Sequence, residues 1–157
     1  MKKILVSSLL ALATAWCAGP ASAQTQSTES QRPIDVVNAF DKMAFFDHHP
    51  TEAILKYVSP DFIEHDPHIA GGGRAGVLEY FSKGHRDWSA TTTLRDTIDR
   101  TISEGDLVVI MHHVTTSPQD PGTLWIDISR VKDGLIVEHW AVGQPIPTDS
   151  KNPNTIY

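Results

Sequence analysis

Between residues 92 and 142 the chain offers four stretches of strand formers in succession, with no helical periodicity between them. They cover residues 92–103, 107–116, 123–131 and 135–142 and are rich in Val, Ile, Thr and Trp. Glu104-Gly105-Asp106, the run from Ser117 to Gly122, and Asp133-Gly134 punctuate them as turns. A sheet of this kind must bury one face, and the residues before it supply the cover. Val36, Val37, Phe40, Met43 and Ala44 recur at helical spacing, which predicts an amphipathic helix over 34–46, with Pro33 in its first turn and Pro50 closing it. A short helix is expected over 51–58, with Thr51 as N-cap and Pro60 beyond its end. Phe62 to His65 reads as a short extended segment leading into an Asp66-Pro67 turn, and 74–88 as a third helix. Helices followed by a run of antiparallel strands give an α+β fold. The sheet must curl, leaving a cavity between helices and sheet.

The N-terminus follows a different logic. A basic Met1-Lys2-Lys3, an apolar stretch to Cys17, and Ala21-Ser22-Ala23 form the pattern of a secretory signal peptide cleaved after Ala23. The expectation is a periplasmic or secreted protein, with residues 24–32 as a flexible leader, one domain over 33–147 and an irregular tail over 148–157. Cys17 is the only cysteine and leaves with the signal, so the mature chain holds together without a disulfide. Losing Lys2 and Lys3 from 13 basic residues leaves 11 against 19 acidic ones, a net charge of about −8. That balance argues against nucleic acid as a partner, and the signal, once removed, leaves no membrane anchor.

Asp127 is the sharpest anomaly, a carboxylate within Leu124-Trp125-Ile126-Asp127-Ile128. Burial there is costly unless the group is paired, and desolvation would raise its pKa toward that of a general base. If Asp133-Gly134 is a two-residue hairpin loop, Ser129 faces Glu138 and Asp127 faces Trp140. One face would then carry Asp127, Ser129, Glu138 and Trp140, and the other Ile126, Ile128, Val137 and His139. A one-residue slip would exchange these sets. Only one of His112 and His113 can share the Asp127 face. If the connection turns near Asp120, it is His113. His65-Asp66-Pro67-His68 lacks a cysteine and a helix to align it, so no metal is expected there. Gly71-Gly72-Gly73 is not a phosphate loop, because no Gly-Lys-Ser/Thr follows. A serine nucleophile has no Gly-x-Ser-x-Gly elbow.

"FIEHDPHIAGG", "EGDLVVIMHHV" and "IDISRVKDGLIVEHWAVGQPIP" follow in this order after two helices. Together they resemble the SnoaL-like branch of the nuclear transport factor 2-like superfamily, and more narrowly the SnoaL-like proteins described as aldol condensation-catalysing. The resemblance implies three helices packed on a strongly bent antiparallel sheet, enclosing a pocket and needing no cofactor or metal. It matches Asp127 to an acid/base carboxylate and His113 to a histidine on the neighbouring strand. The chain departs from the usual pattern at Asp66, where Asn is common, at Met111, where His is frequent, and at Ala141, where Asp is common.

Three readings follow. In the first, a cofactor-free enzyme moves protons at a carbon next to a carbonyl, as an aldol-type cyclase or isomerase. Asp127 is the base, His113 orients it, and His65 stabilises the oxyanion. Trp140, Asp66, Glu138, Phe40, Phe62 and Phe81 belong to the pocket. In the second, the same cone binds a small hydrophobic molecule without turnover. In the third, the outer sheet face receives a partner, as in a homodimer.

Overall fold

The computed structural model describes residues 31–84 and 93–157. The expected signal peptide, most of the leader, and the end of the helix expected over 74–88 lie outside them.

The first helix, α1 (Pro33–Asp41), starts with proline at N1, where the missing N–H costs nothing. Asp35 in its first turn pairs with Arg32 at 2.6 Å. Val36 and Val37 are buried. After Asp41 the winding widens into a π-helical turn, Lys42–Phe46, in which the Asp47 N–H donates to the Lys42 carbonyl at 2.8 Å. The one helix expected over 34–46 is therefore an α-helix continued by a π turn. Pro50 opens α2 (Pro50–Tyr57) instead of merely closing the helix before it. The chain then runs through β1 (Val58–Glu64) and a short turn of 3-10 helix (Ala70–Gly72) into α3 (Arg74–Ser82). Four strands complete it: β2 (Arg95–Glu104), β3 (Leu107–Thr115), β4 (Thr123–Lys132) and β5 (Leu135–Pro145).

The strand order is β1-β5-β4-β3-β2. The four long strands are antiparallel, as expected. The extended segment near residue 62 is part of a fifth strand, which joins β5 in parallel and makes the sheet mixed. The sheet is curved, and α1 packs across β2, β3, β4 and β5. Val36, Ile54, Val58, Val108, Val131 and Ile136 form the centre of the apolar core between the layers.

Two registers decide what enters the space between helices and sheet. In β3 burial alternates strictly, with Val108, Ile110, His112 and Val114 buried. In the β4–β5 hairpin Lys132 faces Leu135 and Val131 faces Ile136, as a two-residue Asp133-Gly134 loop requires. The pairing then shifts: Arg130 faces Glu138, Ser129 faces His139 and Asp127 faces Ala141. Val137 is the extra residue of a β-bulge. Beyond it every side chain of β5 has changed face relative to the simple hairpin.

Candidate functional site

The cavity between the layers has a volume of about 140 Å³. Phe40, Phe45, Phe62, Tyr80, Phe81 and Trp125 supply most of its aromatic wall. Its polar groups are mostly ionisable: Asp41, Glu64, Asp66, Asp96, His112, Asp127 and His139. A pocket that is apolar except for a few convergent titratable groups is the usual form of a small-molecule site.

His112 is the centre of this set. Its Nδ1 donates to Asp96 Oδ1 at 2.8 Å and its Nε2 to Asp127 Oδ2 at 2.9 Å. Neither carboxylate is directly opposite it. His112 faces Ile98 on β2 and Trp125 on β4, so each carboxylate is a diagonal neighbour two residues along. An imidazole that donates from both nitrogens is a cation. Burial works against that charge, but the hydrogen bonds and charges of Asp127 and Asp96 outweigh it and push the His112 pKa up to about 10. The histidine therefore stays protonated throughout the neutral range.

A second histidine flanks Asp127 on the other side. His139 Nδ1 donates to Glu64 Oε1 at 2.9 Å, and its Nε2 lies 3.9 Å from Asp127 Oδ1. Burial again opposes its charge, while Glu64 and Asp127 raise its pKa. Glu64 is almost fully buried and also accepts the Asp66 backbone N–H at 2.9 Å. Asp66 in turn accepts from the His68 ring and backbone N–H, both at 2.8 Å.

Asp41 approaches from the helical side. It is the last residue of α1, and its carboxyl group makes no hydrogen bond or ion pair among the described residues. Burial and the neighbouring Asp127 push its pKa up to about 7, with His112 and His139 opposing and Asp96 reinforcing.

Several expectations change here. Asp127 meets His112, not His113. His113 points to the other side of β3, where its Nε2 donates to the Pro121 carbonyl at 2.7 Å and its ring stacks on Tyr157 at 4.4 Å. The connection from β3 to β4 pairs Val114 with Thr123, so its centre falls before Asp120 and His113 faces Leu124. Glu138 and Trp140 are not in the cavity, because the bulge at Val137 turns them outward and turns His139 in. His65 belongs to the same outer cluster. Its ring stacks on Trp140 at 4.8 Å, and its Nε2 donates to Glu138 Oε1 at 2.9 Å. Arg130 joins Glu138 at 3.0 Å and Asp106 at 2.8 Å. His65 thus has no position from which to stabilise an oxyanion inside the cavity. Asp66, Phe40, Phe62 and Phe81 line the cavity.

Asp41, Asp96 and Glu64 were not singled out from sequence, and His112 and His139 were expected on the face away from Asp127, whereas both lie beside it. Asp41 had a readable signal: it follows Val37 by four residues and precedes Ala44 by three, so it belongs to the apolar stripe of α1. No group of three or more His, Cys, Asp or Glu among the described residues has the arrangement of a metal site.

Three helices on a curved mixed sheet with a cavity between them are the nuclear transport factor 2-like fold. The sequence matches the SnoaL-like domain over residues 37–139, and the chain belongs to that family. Solved structures share the fold. IdmH of Streptomyces antibioticus, a proposed polyketide cyclase, is 24% identical, with 71% of this chain and 91% of that one covered and a TM-score of 0.51. TsrD of Streptomyces laurentii is 18% identical over 71% and 87% of the two chains, with a TM-score of 0.53. A nuclear transport factor 2-like protein of unknown function from Burkholderia xenovorans is 15% identical over 76% and 88%, with a TM-score of 0.58. No curated protein gives a significant sequence match.

Proposed function

We propose that this is an exported SnoaL-like enzyme that transfers protons at a carbon next to a carbonyl, in a reaction of the aldol, cyclase or isomerase type. The observation that carries the reading is Asp127, fixed in an apolar cavity by a cationic His112 that Asp96 holds from behind. A general base must be held where the carbon acid lies, in a site that excludes most water. Asp127 is the base. It takes the α-proton, and the C–H electron pair becomes the carbon–carbon double bond of an enolate. His112 is a positioning residue: its two hydrogen bonds fix the carboxylate, and Asp96 fixes its ring. The polyketide cyclase activity proposed for IdmH supports the reaction class, and the signal-like N-terminus supports export.

The test needs no knowledge of the natural substrate. Hydrophobic ketones such as 2-tetralone are incubated with the protein in D2O, and loss of α-hydrogen is followed by NMR. Wild type is expected to accelerate exchange, and Asp127→Asn to return it to the buffer rate with folding intact. Equal exchange in the two proteins would remove Asp127 from the role.

A second reading is noncatalytic binding of a small hydrophobic molecule. Ala141 favours it, since it pairs directly with Asp127 where relatives commonly carry a carboxylate. Ketones that bind and never exchange would establish it.

A further inference from the structure

Removing an α-proton puts negative charge on the carbonyl oxygen, and the cavity already holds Glu64, Asp66, Asp96 and Asp127. A further negative centre beside these four carboxylates needs a proton donor. His65 is outside the cavity. His112 spends both ring N–H groups on carboxylates. His139 spends one on Glu64 and points the other toward Asp127. The carboxyl group of Asp41 makes no hydrogen bond or ion pair among the described residues and reaches the cavity from α1, across from the sheet. The α-to-π transition begins at the next residue, Lys42. Such transitions recur at functional sites.

We propose that Asp41 is a catalytic residue of this site, a neutral carboxylic acid that gives its proton to the substrate oxygen as the enolate forms. The proposal rests on the proton-transfer reading above. As Asp127 takes the α-proton, the C–H pair forms the C=C bond and the carbonyl π pair moves to oxygen, which receives the Asp41 proton. Return of the Asp127 proton to carbon and of the enol proton to Asp41 restores both groups. The titratable groups that share the cavity with Asp41 are Tyr80 on α3, Asp96 on β2, His112 on β3, Asp127 on β4, His139 on β5, and Glu64 and Asp66 at the end of β1 and after it; Asp127, His112, Asp96 and His139 act on its charge. The carboxylates favour a neutral Asp41 and the histidines oppose it. Burial tips the balance, so that the acid form persists to about pH 7.

The probe is 2-naphthol, an aromatic enol that cannot ketonise, titrated by fluorescence. Wild type is expected to bind it about tenfold more tightly near pH 6 than near pH 8.5, since only protonated Asp41 donates. Asp41→Leu should lose that difference and bind about tenfold more weakly near pH 6. Asp41→Asn, which donates from an amide that does not titrate, should bind equally at both pH values. Thermal melts establish that each variant is folded, and the Asn variant carries the test should the Leu variant not fold. Wild-type affinity and pH response in both variants would overturn the proposal, as would a loss seen only in Tyr80→Phe. If ketone exchange persists in that case, the proton-transfer reading stands without Asp41. If wild type neither binds naphthol nor exchanges ketones, both fall together.

Discussion

His112 on β3 donates to Asp96 on β2 and to Asp127 on β4, tying three neighbouring strands together through one buried ring. Replacing it with leucine leaves two enclosed carboxylates without their cation. His112→Leu should cost about 3 kcal/mol near pH 7, measured by urea denaturation. The pH dependence carries a distinct sign. The folded-state pKa of His112 is raised to about 10, above its unfolded value near 6.5. Its contribution is fully present below about pH 6.5 and is lost as pH rises through about 10. Wild-type stability should therefore decline across that window, and the variant should lack this decline. Parallel declines in the two proteins would show that His112 is not the titrating group.

Asp41 titrates in the same direction as His112 but in a lower window, and replacing it should stabilise the protein instead of weakening it. Its folded pKa, about 7, lies above the ordinary 3.8, so the folded state holds a proton that the unfolded chain has released. Stability attributable to it falls as pH rises from about 4 to about 7, and above that the buried charge is a standing cost. Asp41→Asn should therefore stabilise the protein by about 2 kcal/mol near pH 8 and change little near pH 4, read from melting temperatures at the two pH values. A buried acid whose replacement stabilises the protein is one kept for something other than stability.

The outer cluster of His65, Glu138, Arg130 and Trp140 should be indifferent to chemistry in the cavity. Glu138 accepts from both His65 and Arg130, which lower its pKa. His65 and Arg130 are both substantially exposed. Glu138→Gln should leave both stability and the rate of ketone exchange close to wild type. A tenfold loss of exchange would place Glu138 in the working site after all.

Gly143 faces Trp125 across β5 and β4, and a Cβ built there would meet the indole ring at 2.8 Å. Gly143→Ala should drive Trp125 further into the cavity that it lines. The expected results are a shift in tryptophan emission, a loss of about 1–2 kcal/mol in stability and weaker naphthol binding. Unchanged emission would mean that the ring yields elsewhere.

The order of helices and strands was legible because periodicity and turn chemistry agree along most of the chain. Asp133-Gly134 even fixed the first two pairs of the last hairpin. What could not be read was phase. In β3 both sets of alternate residues are apolar, Val108 and Ile110 on one side, Val109 and Met111 on the other. Nothing local says whether His112 or His113 turns inward. The answer lies in the β3–β4 connection. There Asp120 accepts from the Thr116 backbone and hydroxyl and from the Gly122 N–H, fixing the turn. The bulge was equally silent, since Val137 is an ordinary strand residue and only the parallel partner β1 and the Arg130–Glu138 pairing reveal the shift. Asp96 and Asp127 were both visible as acids in strands. Their meeting through one histidine depends on three strands at once, which no window along the chain contains.

The extra residue at Val137 gives β5 a change of parity. Before it an even-numbered side chain, Ile136, faces the ligand space; after it the odd numbers do, His139 and Ala141. Mutagenesis aimed at altering what this cavity accepts should randomise 139 and 141, and leave 138 and 140 to surface engineering.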